Sequence, residues 1–352
     1  MAGLDLSFLL APHRLPGGLG LKNRIVQAPC TRNRATSNLS PTPGAVGYYA
    51  ARAQAGLLIT EAVLIEHAAQ GYLSTPGLFL DSHVPAWAAV TDAVHAADGL
   101  IFAQLWHTGR MAHSHWSGVQ PVAPSAVLDP ILRRQAGVVN LYNELPRAMT
   151  QADIARTLDN FGSAAARALR AGFDGVEIHA ANGYLPEQFL RAHTNRRTDA
   201  WGGPAANRCR FTLEVVDRCH AVFGSGRVGV RLSPAAYFSE MQWSAGDNEV
   251  YVHLLEELAR RPIAYVHTGV VVDEPVQYLH GTSSQFLRRH WGGTLIGNGG
   301  YTVETAARQL EAKAFDLIAF GKLFIANADL VQRIRDGTEL VPYARAFLDE
   351  LT

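Results

Sequence analysis

Six consecutive residues, His-Ala-Ala-Asn-Gly-Tyr at 179–184, place an imidazole, a carboxamide and a phenol within one short stretch. His179 and Asn182 can donate hydrogen bonds to a carbonyl-type oxygen. Tyr184, a phenol with a reference pKa of about 10, is protonated at neutral pH and can deliver a proton beside it. The stretch follows the strand-like run Asp174-Gly-Val-Glu-Ile178, so the cluster falls where a buried strand breaks into a loop. A strand end gives the rigid support that proton transfer requires.

Short apolar or β-branched runs, each bounded by Gly, Pro or Asn, predict strands near 24–28, 57–62, 100–105, 174–179, 228–232, 264–268, 294–298 and 317–321. Helical patterns fall at 43–54, 84–98, 151–171, 204–222, 247–260, 284–290, 302–312 and 327–336. Leu158, Phe161, Ala165 and Ala168 form the stripe of the third helix, and Thr150 with Asp153 reads as a capping-box variant at its start. Strands alternating with helices make parallel βαβ units. Eight of them in 352 residues predict an α/β fold, a single-domain (β/α)8 TIM barrel spanning residues 1–352. An open doubly wound sheet would want GxGxxG after its first strand, whereas this strand ends Ala28-Pro-Cys-Thr31. The long connections 106–150 and 269–293 are expected on the active face.

Polar residues collect at the predicted strand ends: Cys30-Thr31, Glu61-Ala62, Gln104 to His107, His179, Arg231, Asn298-Gly-Gly300 and Gly321-Lys322. Strand ends that meet water account for one or two of these. A Gln, a His and an Arg inside apolar runs need partners, which points to a site. Gly299-Gly300 opening a helix, paired with Gly321-Lys322, marks the loops after the seventh and eighth strands, where barrels bind phosphate. Lys322 would add a point charge there. Successive strand residues face opposite ways, so at most one of Cys30 and Thr31 is expected to meet a ligand, and alternation alone leaves open which. His113 and His115 have no carboxylate or cysteine at ligand spacing and read as loop histidines; no metal site is expected.

The chain carries 31 basic and 31 acidic residues, with 48% hydrophobic content and no basic stripe, so no nucleic-acid partner is expected. Cys30, Cys209 and Cys219 are too scattered for a disulfide framework, and Cys209 and Cys219 read as buried helix residues. A cytoplasmic setting fits. No run approaches the roughly 20 apolar residues that cross a membrane, and the N-terminus, with Asp5 and the short run Phe8 to Ala11, does not read as a secretory signal.

Taken together, these residues resemble the old yellow enzyme family of FMN-dependent ene-reductases, which includes NADPH dehydrogenases and N-ethylmaleimide reductase-like proteins. The likeness is carried by APCTRNRA at 28–35, GLLITEA at 56–62, GYLSTPG at 71–77, QLWHTGR at 104–110 and APSA at 123–126. It continues through PRAMT at 146–150, AGFDGVEIHAANGYLPEQFL at 171–190, NRRTDAWGG at 195–203 and GNGGYT at 297–302.

The resemblance implies non-covalently bound FMN and NADPH or NADH as hydride donor. Pro29, Thr31, Ala62, Gln104 and Arg231 match positions that hold the flavin ring and ribityl chain, with Gln104 and Arg231 at the pyrimidine edge. Asn298, Gly299, Gly300, Gly321 and Lys322 match the phosphate end. His179 and Asn182 match the pair that grips the substrate's carbonyl or nitro oxygen, Tyr184 the proton donor, and Tyr72 and Trp106 the substrate-pocket aromatics. The implied reaction is ping-pong reduction of an activated alkene, an α,β-unsaturated carbonyl or nitro compound. Whether the protein is a monomer or homodimer is left open by the sequence.

Three departures stand out. Lys322 occupies a position where the family usually has arginine, so FMN is expected to be held less firmly. The chain stops at Thr352 where many relatives continue into a Tyr-containing tail, so the pocket is expected to be more open, or filled by Tyr343 or another loop. Cys30 replaces a usually apolar residue. The same scaffold could also carry nitro- or nitrate-ester reduction or demethylation. A cofactor-free barrel lyase or isomerase using Tyr184 and His179, or a flavin-binding protein without turnover, are readings of other classes.

Overall fold

Eight parallel strands close into a barrel: β1 (Ile25–Gln27), β2 (Leu57–Leu64), β3 (Ile101–Trp106), β4 (Gly175–Ala180), β5 (Val228–Leu232), β6 (Tyr265–Thr268), β7 (Leu295–Gly297) and β8 (Leu317–Phe320). Each pairs with its neighbour in chain order, and β8 returns to β1. This computed structural model describes residues 6–130, 132–134 and 140–351. The outer ring is α1 (Pro43–Ala50), α2 (Val84–Ala96), α3 (Gln151–Arg170), α4 (Ala205–Phe223), α5 (Asp247–Ala259), α6 (Ser283–His290), α7 (Val303–Glu311) and α8 (Leu330–Asp336). None of the helices among the described residues is long and apolar enough to cross a membrane.

Local chemistry explains the helix positions. Thr150 caps α3 through the backbone N–H of Asp153, whose carboxylate reaches back to the Thr150 N–H, closing the expected capping box. Leu158, Phe161, Ala165 and Ala168 are all buried against the barrel. Two short helices escape the periodicity of the sequence, Leu185–Leu190 after β4 and Lys322–Ala326 after β8. They span fewer than two turns, too few for an apolar stripe to show.

The core has two layers. One lies between strands and helices and includes Ile25, Leu58, Leu105, Phe161, Ile178 and Val230. The other fills the barrel itself with Val26, Leu57, Ile59, Phe102, Tyr265, Ile296 and Leu317. Leu15 and Leu21, from the hairpin of His13–Arg14 and Gly20–Leu21, join this inner layer and close the end away from the strand C-termini. Fully burying each such side chain contributes roughly 1.5–3 kcal/mol. Because all eight strands run the same way, their C-terminal ends gather at a single rim.

The connection from β3 to α3 carries two small sheets. Val122–Ala123 pairs with Arg147–Ala148, and Leu132–Arg134 pairs with Asn140–Tyr142.

Candidate active site

Gly175, Glu177 and His179 on β4 share one face of the strand, and that face points into the barrel. Register places Glu177 beside Gln104 on β3 and Gly229 on β5, and His179 beside Arg231, which in turn lies beside His267 on β6. Lower in the barrel the Phe102 and Tyr265 rings stack at 5.9 Å. Gly229 has to be glycine at this level, since a Cβ there would come within 2.3 Å of the Tyr265 ring.

Above that apolar plug the inward residues turn polar. Gln104 donates from Nε2 to Glu177 Oε1 (2.7 Å), and His267 donates from Nδ1 to Glu177 Oε2 (2.8 Å). Burial pushes the Glu177 carboxyl up, but His267, Arg231 and the Gln104 bond outweigh it and hold the pKa below its ordinary value. Glu177 is therefore an ionised, fully buried charge that anchors Gln104. Arg231 donates from Nη2 to Asn298 Oδ1 (3.2 Å), and Asn298 donates from Nδ2 to the Ala319 carbonyl (3.1 Å). Arg231 Nε is buried without a partner among the described residues.

The 179–184 segment turns sharply at the rim. Asn182 and Gly183 both take left-handed φ values, 58° and 75°, which Asn and Gly tolerate best. A buried ionic group pins this turn from below. Glu187 Oε2 accepts from the Gly183 N–H (2.7 Å) and from Ser233 Oγ (2.9 Å), and Ser233 Oγ accepts from the Asn182 N–H (2.9 Å). Arg191 clamps Glu187 Oε1 with Nε and Nη2 (3.1 and 2.9 Å), and the Tyr251 hydroxyl donates to the same oxygen (2.9 Å).

The expected chemical residues come together. The ring centroids of His179 and Tyr184 lie 4.8 Å apart, those of Trp106 and Tyr184 4.9 Å, and those of Tyr72 and Trp106 5.5 Å. The hydroxyls of Tyr72 and Tyr184 are 3.2 Å apart. Burial first, then the charges of Arg231 and His267, hold His179 well below its ordinary pKa. It is a neutral imidazole, and its Nδ1 is buried without a partner among the described residues.

A cleft of about 610 Å³ runs across the rim. Pro29, Thr31, Ala62, Gln104 and Arg231 line it, as do Trp106, His179, Asn182 and Tyr184. Asn298, Gly300, Gly321 and Lys322 stand along the same cleft. A second cavity of about 680 Å³ shares Thr31 and Tyr237 with it and carries Tyr72 on its wall. Gly299 is not on the wall. It is buried at φ 139°, where a Cβ would come within 2.6 Å of the Asp273 backbone N, and its carbonyl accepts from that N–H. Its part is the turn that presents Gly300.

Cys30 lines the cleft together with Thr31, against the expectation that only one would. Regular pairing of β1 ends at Gln27, so strand alternation no longer governs positions 30 and 31. Both ring nitrogens of His113 serve the loop: Nε2 bonds the Tyr142 carbonyl (3.0 Å) and Nδ1 accepts from the His115 N–H (3.0 Å). Cys209 and Cys219 are buried. Tyr343 does reach the cleft, but at the Lys322 end, with the Lys322 ammonium 5.7 Å from its ring centroid.

Reading the sequence alone misses Tyr237. Its hydroxyl lies 2.6 Å from Asn182 Oδ1 and 2.9 Å from the Gly269 carbonyl oxygen. The available signal was the length of the 233–246 connection, as long as loops that usually carry function. Glu187 and Ser233, which hold the turn, gave no signal of their own.

A sequence model described as the NADH:flavin oxidoreductase / NADH oxidase family matches residues 10–340. The chain is 37% identical over 346 residues to 12-oxophytodienoate reductase 2 of Arabidopsis thaliana, covering 96% of this chain and 91% of that one. Its fold is similar to the old yellow enzyme homologue from Zymomonas mobilis, with a TM-score of 0.90, 40% identity, and 97% and 96% of the two chains covered. It is also similar to morphinone reductase in complex with tetrahydroNAD, with a TM-score of 0.88, 39% identity, and 97% and 93% covered. The chain belongs to the NADH:flavin oxidoreductase / NADH oxidase family, that of the old yellow enzymes, and is an FMN-dependent NAD(P)H oxidoreductase.

Proposed function

We propose that the protein is an ene-reductase, a single FMN-binding barrel domain that reduces the C=C bond of α,β-unsaturated carbonyl or nitro compounds. The observation that carries this is the joining of Tyr184 to the His179–Asn182 pair on the wall of a cleft with a cation at depth. The cleft fits FMN. Arg231, with a buried Nε lacking a partner, and the anchored Gln104 suit the electron-rich pyrimidine edge. Pro29, Thr31 and Ala62 would hold the ring from the β1 and β2 ends. Asn298, Gly300, Gly321 and Lys322 would form the phosphate end, with Gly299 shaping the turn behind them, where the first-turn amides of Lys322–Ala326 have no acceptor within the helix.

When bound, FMN supplies the hydride chemistry, accepting two electrons from NADPH or NADH and passing them on. The protein's residues do the rest. His179, a neutral donor, and Asn182 hold the substrate oxygen and draw electron density from the alkene. Tyr184 gives its hydroxyl proton to the α-carbon. Trp106 and Tyr72 wall the substrate in. One site serves both substrates, so the kinetics are ping-pong. Membership of the family sets aside a cofactor-free lyase. The three free cysteines support a cytoplasmic location, and the protein acts on its small-molecule substrate as a monomer or homodimer.

An anaerobic absorbance titration tests the proposal. NADPH or NADH should bleach the flavin band, and 2-cyclohexenone should restore it. Bleaching by neither donor would falsify it.

A further inference from the structure

We propose that Tyr237 is a positioning residue that lets Asn182 present either a hydrogen-bond donor or an acceptor to the cleft. This rests on the ene-reductase reading, in which one site receives a nicotinamide and then an alkene. The Tyr237 oxygen faces two oxygens, Asn182 Oδ1 at 2.6 Å and the Gly269 carbonyl at 2.9 Å. A phenol has one proton and cannot donate to both. If it donates to Asn182, the amide turns its NH2 to the cleft. If it donates to Gly269, two lone-pair-bearing oxygens oppose each other at 2.6 Å until the amide turns over. Nδ2 then donates to the Tyr237 oxygen, and Oδ1 faces the cleft. Amide oxygen and nitrogen are nearly the same size, so both arrangements fit the same heavy-atom positions.

Only the amide is free to turn. The Asn182 and Gly183 amides are tied to Ser233 and Glu187, which fixes the backbone. The terminal torsion of an asparagine is broad and roughly two-fold. Asn182 lines the cleft and is only half-buried, and the hydrogen bond to its side chain comes from Tyr237.

The two orientations suit the two substrates. A nicotinamide carboxamide carries both an acceptor oxygen and a donor NH2, and is matched by His179 as donor with Asn182 Oδ1 as acceptor. An alkene's carbonyl oxygen can only accept, and is matched by His179 with Asn182 NH2. Reading the pair as two fixed donors leaves the carboxamide NH2 without a partner.

The test uses the FMN-loaded enzyme and separate stopped-flow measurement of the two half-reactions. Asn182→Asp gives a side chain that accepts only. Flavin reduction by NADH should persist within about ten-fold, while alkene reduction falls by at least roughly a hundred-fold. Replacing NADH by its reduced 3-acetylpyridine analogue, whose ketone only accepts, should go from near parity in the wild type to a strong disadvantage in the variant. Equal loss in both half-reactions would show that Asn182 only donates, and would overturn the proposal. For Tyr237→Phe, dissociation constants for both NADH and 2-cyclohexenone should rise about three- to ten-fold, with limiting rates little changed. Unchanged constants remove Tyr237 from the account. Failure of wild-type flavin to bleach with NADH would instead overturn the ene-reductase reading itself.

Discussion

Tyr184 differs from its neighbours in what its loss should cost. It shares the rim with His179 and Trp106, yet no step of flavin reduction needs its proton. Tyr184→Phe keeps the ring that packs 4.9 Å from Trp106 and 4.8 Å from His179. The oxidative half-reaction should slow by on the order of 10² to 10⁴, the usual contribution of a placed general acid. Reduction by NAD(P)H should be nearly unchanged. Stopped-flow absorbance separates the two, and an equal loss in both would remove the acid role. His179, Asn182 and Tyr184 were legible because their types fall within six residues. Tyr237 lies on a different loop more than fifty positions away, and only folding sets its hydroxyl against Asn182.

At the scale of elements, all eight barrel strands could be read because buried parallel strands are continuous apolar runs. The support beneath them could not. The Glu187–Arg191 pair is fully buried, and nothing in its local spacing separates it from an ordinary surface i,i+4 pair. Glu187→Ala leaves Arg191 buried with only Asp247, at 3.7 Å, for a carboxylate among the described residues. The expected loss is about 3–5 kcal/mol in denaturant unfolding, together with impaired alkene reduction as the 182–183 turn loosens. A loss below about 1 kcal/mol would mean that the pair does not carry the turn. The helix Lys322–Ala326 was also invisible in the pattern, although its first residue was singled out. Lys322 is an exposed single ammonium near Tyr343. Lys322→Arg can offer a planar fork to a phosphate, so FMN should dissociate more slowly from the variant. Faster or unchanged release, followed by fluorescence of free flavin on dilution, would count against the weak-clamp reading.

For the molecule as a whole, pH bears on stability through Glu61. Its carboxylate accepts from the Arg32 and Asn33 amides (2.9 and 3.3 Å), yet burial outweighs these bonds and pushes its pKa up to about 7. The folded protein therefore holds on to a proton that the unfolded chain gives up near its ordinary value. The stability from this group is complete below that value and is lost as pH rises to about 7, a change on the order of 3 kcal/mol. The difference in unfolding free energy between Glu61→Gln and wild type should grow in favour of the variant from pH 5 to pH 8. A difference flat with pH would rule it out. The Leu15–Leu21 plug has a consequence on the same scale. With the far end stoppered, the barrel has one doorway, and spent nicotinamide must leave through it before an alkene can enter. Traffic is thus single-file: at high concentration an alkene arrives before the flavin has been recharged and blocks the donor's entry. Excess alkene should act as its own inhibitor, relieved by raising NAD(P)H, so that the stopper at the bottom governs the queue at the top.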